Sequence, residues 1–168
     1  MPAQGLSVSV GILRGGDARQ VVPRRCEMHI DLRAPTDAAA EALLAQVRGI
    51  LAPRAGSRVG ITVSGGITRP AFPRSMSLAL HEQASRLAAA LGIVYGGIVT
   101  MGGSDGSFCA ALGRPTLDGL GPVCLDTCSR KERILIVSMM ERTVLLAQLV
   151  AGLAASGARR MGSSMRWA

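Results

Sequence analysis

One glycine-rich stretch has residue types and spacing suited to chemistry: Met101-Gly102-Gly103-Ser104-Asp105-Gly106. An apolar run at 93–100 precedes it and an alanine-rich segment at 108–112 follows it, which predicts a strand, a tight loop and a short helix. Glycines let a backbone approach a ligand closely, and the start of a helix offers unpaired N–H groups to an anion. The stretch therefore predicts an anion site, with simple helix capping by Ser104 or Asp105 as the alternative.

The composition predicts a soluble chain whose core is built from Ala, Val, Leu, Ile and Met. Its 168 residues suit one ordinary domain or two small ones, and 48% are apolar while only 2% are aromatic. No apolar run approaches the roughly 20 residues of a membrane-spanning helix, and the first residues lack the pattern of a signal peptide. We therefore expect a cytoplasmic protein without a membrane partner.

The charge pattern argues against a nucleic-acid partner. The net charge is +8, but the arginines are scattered along the chain, and the sequence has one Tyr, one Trp and two Phe. Nucleic-acid binders usually concentrate charge on one face and add aromatic stacking platforms. The cysteines, which are Cys26, Cys109, Cys124 and Cys128, are predicted to be reduced thiols.

The first part of the chain predicts an α+β layer. Residues 6–13 alternate, with Leu6, Val8, Val10 and Ile12 on one face, and 26–33 alternate in the same way. A helix is predicted at 38–51 after a cap at Thr36 or Asp37, and a third strand at 58–64. Two strands, a helix and a strand predict an antiparallel sheet with a helix on one side.

The later part alternates between helix and strand, which is typical of α/β layers. Helices are predicted at 75–91, which ends at Gly92, at 108–112, and from a cap at Ser138 to about Ala154. Extended runs are predicted at 93–100, 115–117 and 134–137. The tail at 156–168 is rich in Gly, Ser and Arg and is predicted to be disordered.

Several motifs follow one another along the chain: Gly11-Ile12-Leu13-Arg14-Gly15-Gly16 with Val21-Val22-Pro23, Asp31-Leu32-Arg33, Thr68-Arg69-Pro70-Ala71-Phe72, Gly102-Gly103-Ser104-Asp105-Gly106, Gly113-Arg114-Pro115 and Gly119-Leu120-Gly121-Pro122. In this order they resemble the zinc-dependent peptidase family of carboxypeptidase G, aminoacylase, acetylornithine deacetylase and succinyl-diaminopimelate desuccinylase. The resemblance covers about Leu6 to Leu153. It implies that 1–66 is the latter part of a lid that mediates homodimerisation, that 67–155 is the C-terminal part of an α/β catalytic domain, and that 156–168 is a tail.

The family resemblance also implies two zinc ions. Of the family's metal ligands, only the histidine of a Gly-x-His-Ser-x-x-Glu segment has a counterpart here, and Cys128 stands at its position. A thiolate can bind zinc, but its charge weakens the Lewis acidity that the metal lends to water. His29 and His81 are predicted to be surface or packing residues. We therefore expect this chain not to retain zinc by itself, and we assign it no catalytic residue.

The resemblance further implies a site for a substrate carboxylate. Arg33 and Arg69 match arginines near the substrate, and a planar guanidinium suits bidentate contact with a carboxylate. Gln20 matches a family asparagine, and Gly102, Gly103, Ser104 and Asp105 match the pocket floor. For each arginine the alternative is an ordinary exposed arginine at a strand end or a hinge.

The expected function is that of an incomplete amide hydrolase similar to a glutamate carboxypeptidase. Its family acts on peptides or N-acyl amino acids that carry a free carboxylate, and we expect the isolated chain to be inactive. A dimerisation or partner-binding module without catalysis is the second interpretation, and a basic nucleic-acid binder is the third. The sequence leaves open the acyl group of the substrate and the oligomeric state.

Overall fold

The chain folds into a mixture of helices and short antiparallel strands. The computed structural model describes residues 5–53 and 55–164, with side chains described as far as Ala155. The strands are β1 (Ser7–Gly15), β2 (Cys26–Arg33), β3 (Cys124–Leu125) and β4 (Arg133–Ile134). The helices are α1 (Asp37–Ile50), α2 (Leu78–Ala90), α3 (Gly106–Ala111) and α4 (Ile136–Ser164), with a 3-10 turn at Arg74–Met76 before α2. The predicted α+β class is confirmed.

The first two strands form an antiparallel hairpin with one irregularity. Val10 lies opposite Ile30, but the next paired residue on β1 is Ile12, which lies opposite His29. Gly11 is thus an extra residue on β1, which is the arrangement of a β-bulge.

The bulge changes which side chains share a face. Past the bulge, Leu13 lies opposite Met28, so Leu13 and not Ile12 continues the apolar face. Side chains alternate along a strand, so one inserted residue moves every later side chain to the other face. The prediction that Ile12 lies on the apolar face is therefore wrong, because Gly11 does not take a place in the ladder.

Helix α1 begins and packs as its sequence predicts. The Thr36 hydroxyl oxygen accepts a hydrogen bond from the backbone N–H of Ala39 at 3.2 Å, which satisfies one of the open donors of the first turn. The helix packs against β2, and its Leu43 is buried. The apolar stripe of α1 therefore covers part of the hairpin.

Three segments that were predicted to be strands are not strands in the structure. Residues 58–64, 93–100 and 115–117 form no ladder with any other part of the described chain. Strand-like alternation is a local property, whereas a ladder needs a partner elsewhere. Large apolar side chains of the second segment accordingly stay exposed, including Val94 at 91% and Ile98 at 89%.

The chain divides into two compact units. The first unit consists of the residues up to Pro73 together with Thr100–Arg114, and the second consists of Arg74–Val99 together with the residues from Pro115 onward. The glycine-rich loop and α3 therefore belong to the same unit as the β1–β2 hairpin. The predicted family division into 1–66, 67–155 and 156–168 stays a prediction.

The second unit is built around the pair of helices α2 and α4. Ala84 and Ala88 lie one turn apart on α2 and are almost completely buried, as are Leu145 and Leu149 on α4. Small side chains on one helix and leucines at the same spacing on the other allow close packing along matching ridges. Gly92, with φ of +67°, ends the turn after α2, as predicted.

Helix α4 differs from its prediction at both ends. It begins at Ile136, and Ser138 is buried, accepting a hydrogen bond from the Val123 N–H at 2.9 Å and donating one to the Leu135 carbonyl at 2.6 Å. Ser138 is therefore not the cap. The backbone is helical through 156–164, past the predicted end at about Ala154 and into the predicted tail. Residues 165–168 of that predicted tail lie outside the described residues.

One segment of α4 is long and apolar enough to cross a membrane. It is Ile136–Ala155, with a mean hydropathy of 1.5, and 17% of its window is buried. The expectation that no segment reaches this length and composition is wrong, because Glu141 and Arg142 interrupt the apolar run without offsetting its mean hydropathy. Leu145 and Leu149 are buried within it, while most of the window is exposed.

Candidate functional site

The glycine-rich loop lies beside Arg69 in the first unit. The Arg69 guanidinium pairs with the Asp105 carboxylate, with Nη1 and Oδ1 at 2.5 Å, and its Cζ lies 5.4 Å from the centre of the Phe108 ring. A Cβ added to Gly103 would lie 3.6 Å from Nε of Arg69. That distance is an ordinary van der Waals contact, so the guanidinium lies next to the loop backbone at Gly103.

Arg33 contacts the loop from the end of strand β2. Its Nη1 donates a hydrogen bond to the Met101 carbonyl at 2.9 Å, and its Nε pairs with Asp31 at 2.7 Å. Asp31 and Arg33 lie on the same face of β2 because they are two residues apart. The strand thus supplies both the arginine and the carboxylate that orients it.

The loop between these contacts is held by its own side chains. The Thr100 hydroxyl oxygen accepts a hydrogen bond from the Gly102 N–H at 2.8 Å, and the Ser104 hydroxyl oxygen accepts one from the Gly106 N–H at 3.0 Å. The Ser104 bond satisfies the first N–H of α3 from the residue before the N-cap. Asp105 occupies the N-cap position of α3 without a capping bond from its side chain, which pairs with Arg69 instead.

The arrangement places two guanidinium groups, each paired with one carboxylate, at one short loop. The side chains of Arg33 and Arg69 are 47% and 38% exposed, and the bonds described above engage only part of each guanidinium. Donors that remain open next to a glycine backbone suit an anionic ligand, and a planar guanidinium suits a carboxylate. The structure therefore brings Arg33, Arg69 and 102–105 together.

Gln20 is not part of this cluster. It lies in the connection at 16–25, which joins β1 to β2 beside the Gly15–Cys26 pair, whereas Arg33 pairs with Ser7 at the opposite end of the hairpin. Eight residues of extended strand at about 3.3 Å each separate the two ends. Any role of Gln20 with the same ligand stays a prediction.

Cys128 lies in the connection between β3 and β4. Its backbone N–H donates a hydrogen bond to Glu132 at 2.9 Å, and the Cys124 thiol lies 3.6 Å from the other oxygen of the same carboxylate. Desolvation, followed by the hydrogen bond to Glu132 and nearby negative charges, raises the pKa of the Cys124 thiol above 9.0.

The residues that the structure describes do not fit the two zinc ions that the family resemblance implies. Among them, no three side chains of His, Cys, Asp or Glu converge so that they could hold a metal ion. His29 pairs with Glu27 on the hairpin surface at 2.8 Å, and Nδ1 of His81 lies 3.2 Å from the Tyr95 hydroxyl. Both histidines thus have surface or packing roles, as predicted.

A polar cluster around Tyr95 in the second unit was not predicted from the sequence. The Arg142 guanidinium lies over the Tyr95 ring at 5.0 Å and donates a hydrogen bond to the Val94 carbonyl at 3.2 Å. Burial raises the pKa of Tyr95 above 10.0, and the charge of Arg142 partly opposes that rise. The one feature of the sequence that could have drawn attention to this cluster is that Tyr95 is the chain's only tyrosine.

Sequence reasoning also missed the partners that orient the two arginines. Asp31 was noted only as part of a motif, and Phe108 only as the start of a helix, yet they contact Arg33 and Arg69 respectively. The spacing of Asp31 and Arg33 on one strand face is a signal that could have found the first pair. The contact between Arg69 and Phe108 spans distant parts of the sequence and has no local signal.

Comparison with known proteins identifies the part of the chain that contains the hairpin and α1. Residues 2–59 match the family model of the peptidase dimerisation domain. No curated protein matches the chain significantly. The matched region ends before the glycine-rich loop but includes Arg33 and the strands that the motifs assign to the lid. The match therefore assigns residues 2–59 to a peptidase dimerisation domain.

Proposed function

We propose that this chain forms the dimerising and carboxylate-holding part of a metal-dependent amide hydrolase similar to a glutamate carboxypeptidase. The observation that carries the proposal is the placement of Arg33 and Arg69 at the loop 102–105. In this role the two guanidiniums bind and orient the free carboxylate of a peptide or N-acyl amino acid. The glycines let that carboxylate approach the backbone.

Binding of N-acetylglutamate to the whole chain tests this role, and isothermal titration calorimetry gives the affinity. We expect Arg33→Ala and Arg69→Ala each to weaken binding about tenfold or more, because each removes a charge-assisted hydrogen bond. Arg19→Ala is the matched control, since this exposed arginine lies in the connection at the other end of the hairpin. Equal losses in all three variants would show a general charge effect and contradict the site.

We also propose that the isolated chain does not hydrolyse such compounds. The support is its donor set: Cys128 stands where the family has a histidine, and the Glu132 carboxylate accepts a hydrogen bond from the backbone N–H of Cys128. The test is release of acetate from N-acetylglutamate in the presence of added zinc, and we expect none. Zinc-dependent turnover that disappears in Cys128→Ala would overturn this part of the proposal.

The second candidate function, homodimerisation through the hairpin, is supported by the exposure of β1. Within the described residues β1 pairs only with β2, and its side chains Val8, Val10 and Leu13 are 54%, 52% and 66% exposed. An edge strand with an exposed apolar face is suited to pairing with a second copy. The match to a peptidase dimerisation domain supports the same role.

Sedimentation equilibrium at several concentrations tests dimerisation, with two substitutions one residue apart. We expect Val10→Lys to shift the chain to monomer, because it places a charge on the apolar face. Ser9→Lys is the control, because Ser9 points to the opposite face of the same strand. A wild-type chain that stays monomeric at every concentration would contradict the proposal.

A further inference from the structure

Two cysteines share one carboxylate in the β3–β4 hairpin. Cys124 lies in β3, and its thiol is 3.6 Å from Oε1 of Glu132, while Oε2 accepts the backbone N–H of Cys128 at 2.9 Å. A single carboxyl group thus contacts both cysteine residues. Cys124 is partly exposed, Cys128 is exposed, and both are free thiols.

The connection between the strands is folded tightly enough to keep the two residues near each other. Asp126 and Cys128 both adopt the left-handed region, with φ of 55° and 62°. Two successive turns follow, in which Ser129 N–H donates to the Asp126 carbonyl and Glu132 N–H to the Ser129 carbonyl, each at 3.2 Å. An ion pair between Arg133 and Asp126 closes the base of the connection. The backbone therefore reverses direction between Cys124 and Glu132.

We propose that Cys124 and Cys128 form a reversible intramolecular disulfide when the chain meets an oxidised low-molecular-weight disulfide. The thiolate of Cys128 attacks one sulfur of that disulfide, forms a mixed disulfide and releases one thiolate of the reagent. The thiolate of Cys124 then displaces the second reagent thiolate and forms the bond to Cys128. The protons of both cysteines pass through solvent to the released thiolates, so one reagent disulfide is reduced to two thiols.

The second step is favoured by proximity. Once Cys128 carries the mixed disulfide, the attack by Cys124 is intramolecular, and its effective concentration exceeds that of free thiol in solution. Cys26 and Cys109 belong to the other compact unit, so replacing them leaves the β3–β4 hairpin unchanged. This inference does not depend on the proposed carboxylate site, because it uses none of the same residues.

The experiment uses the full chain with Cys26→Ser and Cys109→Ser, so that only the two hairpin thiols remain. The protein is equilibrated with mixtures of reduced and oxidised glutathione, and free thiols are then blocked by alkylation. Proteolysis before Asp126 separates Cys124 from Cys128, so the two fragments stay joined only if the disulfide has formed. We expect joined fragments to accumulate as the share of oxidised glutathione rises and to disappear with excess reduced glutathione.

A Glu132→Ala variant tests the part played by the shared carboxylate. We expect it to raise the ratio of joined fragments to glutathione adducts about fivefold, because the hydrogen bond that the carboxylate accepts from the Cys124 thiol exists only while that thiol is reduced. Glu141→Ala is the matched control, because Glu141 is an exposed glutamate on α4. Far-ultraviolet circular dichroism shows whether each variant keeps its helices.

Two results would overturn the proposal. In the first, both thiols become separate glutathione adducts and no joined fragments appear at any glutathione ratio. In the second, joined fragments appear only between two chains, which mixing of isotopically labelled and unlabelled protein detects.

Discussion

The two compact units are stabilised by different kinds of contact. In the second unit α2 and α4 are in contact, and Ala84 and Ala88 on one helix and Leu145 and Leu149 on the other are buried. The first unit instead joins distant segments through exposed polar contacts, such as Arg33 with Met101 and Arg69 with Asp105. Apolar burial tolerates little change, whereas exposed ion pairs contribute little stability. The first unit can therefore place open charged groups at its surface, where a ligand can reach them.

The largest expected effect is the loss of the leucine at the centre of the helix pair. We expect Leu145→Ala to lower the free energy of unfolding by about 2–5 kcal/mol, because it leaves a cavity beside Ala84 and Ala88. Leu146→Ala is the matched control, since Leu146 is the next residue and is 44% exposed. Urea unfolding followed by circular dichroism measures both, and equal losses would contradict a buried contact centred on Leu145.

A smaller effect is expected at the helix cap of the first unit. Thr36→Ala removes the side-chain acceptor of the Ala39 N–H, so we expect about 1 kcal/mol less stability. The same urea experiment applies, with the exposed Thr62→Ala as the control. Restoration of stability by Thr36→Ser, but not by Thr36→Val, would confirm that the hydroxyl and not the shape is responsible.

The exposed ion pair of the first unit should contribute still less. Asp105 is 90% exposed, so we expect Asp105→Asn to lower stability by less than about 1 kcal/mol. The difference from wild type should shrink further as salt is added, because salt screens exposed charges. If Asp105→Asn lowered the free energy of unfolding more than Leu145→Ala does, or by an amount that does not change with salt, the ion pair would not be the weaker of the two contacts.

The last effect is absent at neutral pH and appears only in alkali. Because the pKa of Tyr95 in the folded chain is raised above 10.0, the folded state holds its proton more tightly than the unfolded state. The stability that comes from the protonated Tyr95 hydroxyl is fully present below pH 10. It is lost as the pH rises through the pKa that Tyr95 has in the folded chain. Tyr95 is the only tyrosine, so tyrosinate absorbance reports on it alone, and Tyr95→Phe should remove this part of the alkaline loss.

Local signals in the sequence predicted the features that depend on neighbouring residues. Thr36 caps α1 because a hydroxyl three residues before an open N–H is sufficient, and Gly92 ends its helix because glycine readily adopts positive φ. The placement of Arg33 and Arg69 near the loop came from the order of family motifs and not from periodicity. The same motifs could not reveal that Asp105 turns away from the helix to pair with Arg69.

Features that depend on distant partners were not predictable from the sequence. Residues 93–100 have the composition of a buried strand, yet alternation cannot show whether a second strand lies alongside. The position of Ser138 was also misjudged, because its partner, the Val123 N–H, comes from a separate segment. The bulge at Gly11 shows the same limit on a smaller scale, since register is a property of two strands together.

The bulge gives the two halves of the hairpin unequal freedom to slide. Between Ser7 and Val10 only one alignment puts apolar side chains opposite Ile30 and Leu32, because a slip would place serines there. Beyond Gly11 the adjacent residues Ile12 and Leu13 are both apolar, so either of them can lie opposite Met28 and keep an apolar pair there. The connection at 16–25 is too long to impose one choice. We therefore expect residues 7–10 to keep a single alignment with β2 and residues 12–14 to exchange between two. Amide hydrogen exchange should accordingly be slower at 7–10 than at 12–14.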